Sequence, residues 1–74
     1  MDTIGTRAYK EICKRAFAKS IAPYKQAEEL DISSTMLTTW RRGKWNPSAS
    51  ILKKMALAGY DVIYILTGER KDNG

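Results

Sequence analysis

The sequence predicts an all-α fold, a compact bundle of five short helices. Three observations carry this reading. No segment alternates apolar and polar residues as a half-buried strand does; apolar residues recur at helical spacing in five separate stretches; and hydroxyl, Asn/Asp, Pro or Gly residues bound most of those stretches.

In the first stretch, Ala8, Tyr9, Ile12, Cys13, Ala16 and Phe17 fall on one side of a helix from about Thr6 to Ala18. Arg7, Lys10, Lys14 and Lys19 fall on the other. Ser20 to Pro23 interrupts the pattern, and Pro23 suits the first turn of a second helix, where a missing N–H does no harm. That helix runs through Leu30. Ser33 or Ser34 can accept from the free N–H groups opening a third helix, which ends at Gly43, a residue tolerant of the left-handed backbone found after helix ends. Asn46 before Pro47 repeats a cap-then-proline start, and Ile51, Leu52, Met55, Ala56 and Ala58 give the fourth helix its apolar face before Gly59. Asp61 caps a fifth, Val62 to Leu66, closed by Thr67 and Gly68. Val62, Ile65 and Leu66 can face inward, leaving Ile63 and Tyr64 outward.

A chain of 74 residues makes one small domain that buries roughly 60% of its unfolded surface, which excludes a catalytic cleft between domains. Thirteen Lys and Arg against eight Asp and Glu leave a formal charge of +5, which favours a polyanionic partner. The lone Cys13 has no partner for an internal disulfide, and without histidine a zinc site is not expected. No cofactor, metal or small-molecule ligand is expected. No apolar run approaches the roughly 18 residues of a membrane span, and the start, MDTIGTRAYKEICK, lacks the apolar core of a signal peptide. The expectation is a soluble, cytoplasmic protein with no membrane association.

The stretch from Pro23 to Gly43 carries the functional signal. Ala27, Leu30, Ile32, Leu37 and Trp40 are spaced so that two helices cross and bury a shared face. Ser33, Ser34, Thr35, Thr38 and Thr39 then point outward. These are weak helix formers that bury little apolar area, so packing accounts poorly for them and hydrogen bonding to bases and phosphates in a DNA major groove accounts for them better.

The framework Ala27, Leu30, Ile32, Leu37, Trp40, Gly43, followed by an Asn-Pro helix and the ending YDVIYILTGER, resembles the lambda-repressor-like helix-turn-helix domains. Within them it is most similar to the N-terminal DNA-binding domain of phage CI-type repressors, which often end in a Leu-Thr-Gly-Glu sequence like Leu66 to Glu69. The match covers roughly Ile21 to Arg70. Asp31 stands in the inter-helix turn where the family usually has glycine, and aspartate tolerates the left-handed backbone there. At Gln26 the family usually has an apolar residue, and at Pro23 often a glutamine that helps fix the helix to the DNA backbone; Tyr24 or Lys25 can substitute for it.

The resemblance implies a sequence-specific, double-stranded DNA-binding transcriptional regulator of the repressor type. Residues 1–70 form the helix-turn-helix domain, and residues 71–74 a polar tail or the start of a linker. It puts Ser34, Thr35 and Thr39 at base edges, with Thr38 and Arg42 beside them; Arg42 equally suits a phosphate. Backbone contacts fall to Tyr24, Lys25, Ser33, Arg41, Lys44 and Trp45. Ser33 can equally be only a helix cap, and for Trp45 packing over the core is the favoured reading, with stacking on the sugar-phosphate edge as the alternative. Lys10, Lys14 and Lys19 are read as a solvated face. A small module needs a second copy to compete for genomic sites, and Tyr60, Ile63 and Tyr64 offer an apolar patch for a homodimer on an inverted-repeat operator. Alternatively those residues close over Met55 and the end of the fourth helix. The rival function is a protein-interaction module of the same fold, antirepressor- or antitoxin-like, that binds another protein through the third-helix surface or the Tyr64 patch. An enzyme is not expected, because Cys13 lies on a buried face and Glu28 and Glu29 lack a cleft.

Overall fold

Thr3 opens the longest helix of the chain. Its hydroxyl accepts the Thr6 N–H at 3.1 Å while Thr6 Oγ1 accepts the Thr3 N–H at 2.8 Å, a reciprocal cap. The helix therefore starts before the Thr6 expected from apolar spacing. The structure, a computed structural model, describes residues 2–70; the tail expected at Lys71 to Gly74 lies outside the described residues. Five helices follow in order, α1 (Ile4–Ala18), α2 (Pro23–Glu28), α3 (Ser34–Arg41), α4 (Ala49–Leu57) and α5 (Val62–Thr67). No strand occurs among the described residues, and no helix among them is long and apolar enough to cross a membrane.

Helix α2 ends two residues short of the expected Leu30 because the chain folds back on it. The N–H groups of Leu30 and Ile32 both donate to the Ala27 carbonyl, at 2.9 and 3.0 Å. Asp31 turns the chain with φ 59°, the left-handed conformation expected of it, and Ser20 does the same between α1 and α2 with φ 58°. These turns lay α2 and α3 side by side against α1.

The core gathers Ala8 and Ile12 of α1, Ala27, Leu30 and Ile32 from the α2–α3 region, Leu37 and Trp40 of α3, Met55 of α4 and Ile65 of α5. Helix α1 packs on α2, α3 and α5, and α4 packs on α5. Gly5 lets the first turn of α1 lie against the loop after α3: a Cβ there would collide with the Trp45 carbonyl oxygen. Asn46 fixes that approach, since its Oδ1 accepts the Gly5 N–H at 3.1 Å. Asn46 is therefore not the cap of α4. Ser48 is, accepting the Ile51 N–H at 3.3 Å.

Several side chains leave the faces that periodicity assigned them. Arg7, expected in solvent, is buried; its Nε donates to the Ile65 carbonyl at 2.9 Å and a terminal nitrogen to Leu66 O at 3.4 Å, while Asp2 pairs with it at 2.8 Å. Arg15 likewise donates to Ala58 O at 2.6 Å and Gly59 O at 3.1 Å, with its guanidinium 3.8 Å from the Tyr60 ring centre. Both arginines thus close the carbonyl ends of α5 and α4, which have no partners within their own helices. Phe17, expected on the buried face, is 86% exposed, because the buried stripe of α1 runs through Ala8, Ile12 and Ala16 and Phe17 lies beside it. Ala56, Ala58 and Leu66 are also exposed, since α4 and α5 bury narrower stripes centred on Met55 and Ile65.

Replacing Arg7 by Met leaves the Ile65 carbonyl without its donor. The expected cost is about 2 kcal/mol, read as a lowered denaturation midpoint at unchanged m-value, with a smaller cost for Arg15→Met at its more exposed site. Asp31→Gly is expected to hold or raise stability by up to about 1 kcal/mol, whereas Asp31→Ala lowers it by a similar amount. Equal effects of the two Asp31 substitutions in thermal denaturation would contradict the left-handed turn.

Candidate nucleic-acid interface

Leu37 and Trp40 hold one side of α3 in the core, Trp40 only 1% exposed, so the helix turns its opposite face outward. That face carries Ser34, Thr35, Thr38, Thr39 and Arg42. Together with Lys44 and Trp45 they line a shallow surface groove of about 350 Å³. All five residues expected at base edges and two of the six expected at the backbone therefore share one concavity. It contains two cations and no acid. Glu29 is held by Lys19 at 3.2 Å and Asp31 by Lys54 at 3.2 Å, and neither lines the groove.

The hydroxyls are not equivalent. Ser33 caps α3 by accepting the Met36 N–H at 3.1 Å, which leaves its own hydrogen available to a phosphate oxygen. Thr39 donates its hydrogen to the Thr35 carbonyl one turn back, at 2.9 Å, so outward it offers only lone pairs and a methyl. Gly43 follows in the left-handed conformation with φ 73°, and Lys44 N–H donates to Thr39 O at 3.2 Å. This bend swings Lys44 and Trp45 back beside α3.

Trp45 does not pack over the core: it is 70% exposed, because the contact between Gly5 and the Trp45 carbonyl turns its backbone inward and leaves the indole outside. A second concavity, of about 410 Å³, adjoins the first and shares Thr35, Thr39 and Trp45 with it. Its other walls include Met36, Pro47 and Ile51, and no charged side chain lines it. Periodicity gave no sign of this half of the surface. Met36 lies one turn from the buried Trp40 yet is exposed, and long-range contacts at Gly5 and Asn46 hold the loop that supplies Pro47.

The remaining expected residues are scattered. Tyr24 and Lys25 are exposed on α2 and Arg41 on α3, none of them lining either groove. Hydrogen bonding with the Cys13 thiol and burial raise the Tyr9 phenol above its ordinary pKa, while the Arg41 charge opposes them. On α5, Ile63 is exposed as expected. Tyr60 is not part of an open patch: it is 7% exposed, and its hydroxyl accepts from the buried Gln26 Nε2 at 3.0 Å. Gln26 Oε1 is left without a partner. Tyr64 is half-buried, with the Arg70 guanidinium 4.0 Å from its ring centre. The open apolar residues of α5 are Ile63 and, one turn on, Leu66.

No protein-family model matches the chain, and no curated protein or solved structure matches it.

The two tryptophans sit in opposite environments, which fluorescence can read. Trp45→Phe should remove the red-shifted, acrylamide-quenchable emission and leave the shielded Trp40, with a stability change within about 0.5 kcal/mol. Unchanged quenching in that variant would place the indole of Trp45 elsewhere.

Proposed function

We propose that the protein is a sequence-specific, double-stranded DNA-binding transcriptional regulator of the helix-turn-helix kind, a phage-type repressor that inserts α3 into the major groove. The observation that carries this reading is the grouping of Ser34, Thr35, Thr38, Thr39, Arg42 and Lys44 in one acid-free groove on the open face of a helix. A polyanion with hydrogen-bonding edges suits such a surface. Hydroxyls meet base edges, and the two cations meet phosphates at the rim. The resemblance of the sequence to the lambda-repressor-like domains supports the same reading, as does the left-handed Asp31 turn between α2 and α3.

Few of these side chains are bidentate readers, so base discrimination per contact is modest and DNA shape supplies part of the specificity. A second copy raises it. Ile63, Leu66 and the open edge of Tyr64 are the apolar residues through which a two-fold partner would pack, placing two α3 helices about 34 Å apart on an inverted repeat. Occupancy of such a site blocks polymerase. The second reading, a protein-interaction module of the same fold, draws on Phe17 and Leu57, which are exposed at 86% and 80% and lie outside the groove.

Selection of bound duplexes from a random library at moderate salt separates the two. The DNA reading expects enrichment of an inverted repeat with half-sites about one turn apart. With about six phosphates neutralised, log affinity falls against log salt with a slope of roughly −5, made shallower by about 1 in Arg42→Ala when that side chain holds a phosphate. Absence of any enrichment, with Arg42→Ala and Thr39→Ala both silent, would favour the protein-binding module.

A further inference from the structure

We propose that the apolar groove between the C-terminal end of α1 and the start of α2 docks an acidic helical segment of another protein, with Phe17 as the apolar contact and Lys10 and Lys14 as the carboxylate contacts. None of these residues belongs to α3 or lines either groove beside it, so the site stands apart from the DNA-binding reading.

The way α1 ends builds the site. Ser20 turns the chain with φ 58°; its N–H donates to Phe17 O at 3.1 Å, and the Ile21 N–H donates to Ala16 O at 3.0 Å. In this kind of helix ending a left-handed residue folds the next apolar side chain back onto the last turn. Ile21 and Pro23 thereby join Cys13, Ala16 and Phe17 as the walls of a concavity of about 330 Å³, which no charged side chain lines. Folding accounts for the half-buried Ile21. It does not account for Phe17, which stays 86% exposed. A lone aromatic on a surface is ordinary, but one that walls a concavity held by backbone hydrogen bonds gives a large apolar side chain a seat.

Charge selects the occupant. Lys10, Lys14 and Phe17 fall at i, i+4 and i+7, a single stripe of α1, and all three are exposed. Neither lysine has an ion-pair partner among the described residues, whereas Lys19 pairs with Glu29 at 3.2 Å, and Glu11 is taken by Arg70 at 3.0 Å. A helix laid along the stripe meets the lysines with two carboxylates one turn apart and the groove with an apolar side chain about one turn beyond. Exposed lysines supply orientation and encounter rate more than affinity, so the apolar contact carries most of the binding. A second copy of this chain, itself +5, brings like charge to the lysines. A bilayer offers a flat surface to a concave site, and two lysines with one aromatic hold it weakly.

Displayed random peptides selected against the full chain provide the test. Enriched sequences should carry two Asp or Glu one helical turn apart, with Leu, Phe or Trp about one turn beyond. In fluorescence anisotropy with such a peptide, Phe17→Ala should weaken binding about tenfold. Lys10→Gln combined with Lys14→Gln should weaken it about threefold at low salt and remove most of its salt dependence. Lys53→Gln, on α4, should change nothing. All four positions are exposed, and thermal denaturation checks that the variants fold. Cys13 is the only cysteine and lines the groove, so bound peptide should slow its alkylation by N-ethylmaleimide. A library without binders, enriched peptides without acids, or binding indifferent to Phe17→Ala would overturn the proposal. Cosedimentation with phosphatidylserine vesicles that Phe17→Ala abolishes, in the absence of a peptide binder, would give the groove to a membrane surface instead; self-association lost in the same variant would give it to a second copy. The duplex selection is a separate measurement, so the DNA reading and this docking site fail independently.

Discussion

Two arginines on α1, two turns apart, hold the C-terminal half of the chain against the N-terminal half. Arg7 closes the carbonyl end of α5 and Arg15 that of α4. Helices of six and nine residues are too short to persist alone, and their unpaired last carbonyls carry the negative end of the helix dipole. A planar guanidinium with several donors satisfies two such carbonyls at once, which an ammonium does less well. The buried Arg7 guanidinium is paired with Asp2 and donates to two carbonyls, as a buried charge requires. These two cations belong to the fold, and at the surface Lys19, Lys54 and Arg70 pair with acids of this chain.

With α1 fixed to α5 and Arg15 closing α4, the remaining surface of α1 receives α2 and α3. The cross-chain contact at Gly5 sets how close the loop after α3 can come, and Asn46 holds it there. That loop shapes both grooves, because it carries Lys44 to one and Pro47 to the other, with Trp45 between them. A residue at the start of the first helix thereby shapes a surface built from the third. Both grooves are free of acids because no Asp or Glu occurs in the sequence between Asp31 and Asp61.

Much of the helical layout was legible in local sequence. Asp61 caps α5, Ser33 caps α3, and Gly43, Gly59 and Gly68 take the left-handed conformation that follows a helix, each because the chemistry involved spans only a few residues. Asp31 belongs with them: its tolerance of positive φ is a property of its own side chain. The expected inward positions of Ala27, Leu30, Ile32, Leu37 and Trp40 also hold, since a helix–helix contact repeats every turn. The start of α4 misled because Asn-Pro is as good a local signal as Ser48, and only the distant Gly5 N–H decides which residue serves as the cap.

The sequence by itself determined the number and order of the helices, the turn at Asp31 and the outward hydroxyl face of α3, all consequences of periodicity and backbone preference within one element or two neighbouring ones. The tertiary structure alone decided that Arg7 is buried and Phe17 is not, that Tyr60 joins Gln26 inside, and that Trp45 stands in solvent between a cationic groove and an apolar one. Periodicity gives the direction of a helix face but not its width, and a polar side chain's burial depends on whether a partner tens of residues away arrives to satisfy it. Those arrivals are made by packing, and the candidate site was assembled by them.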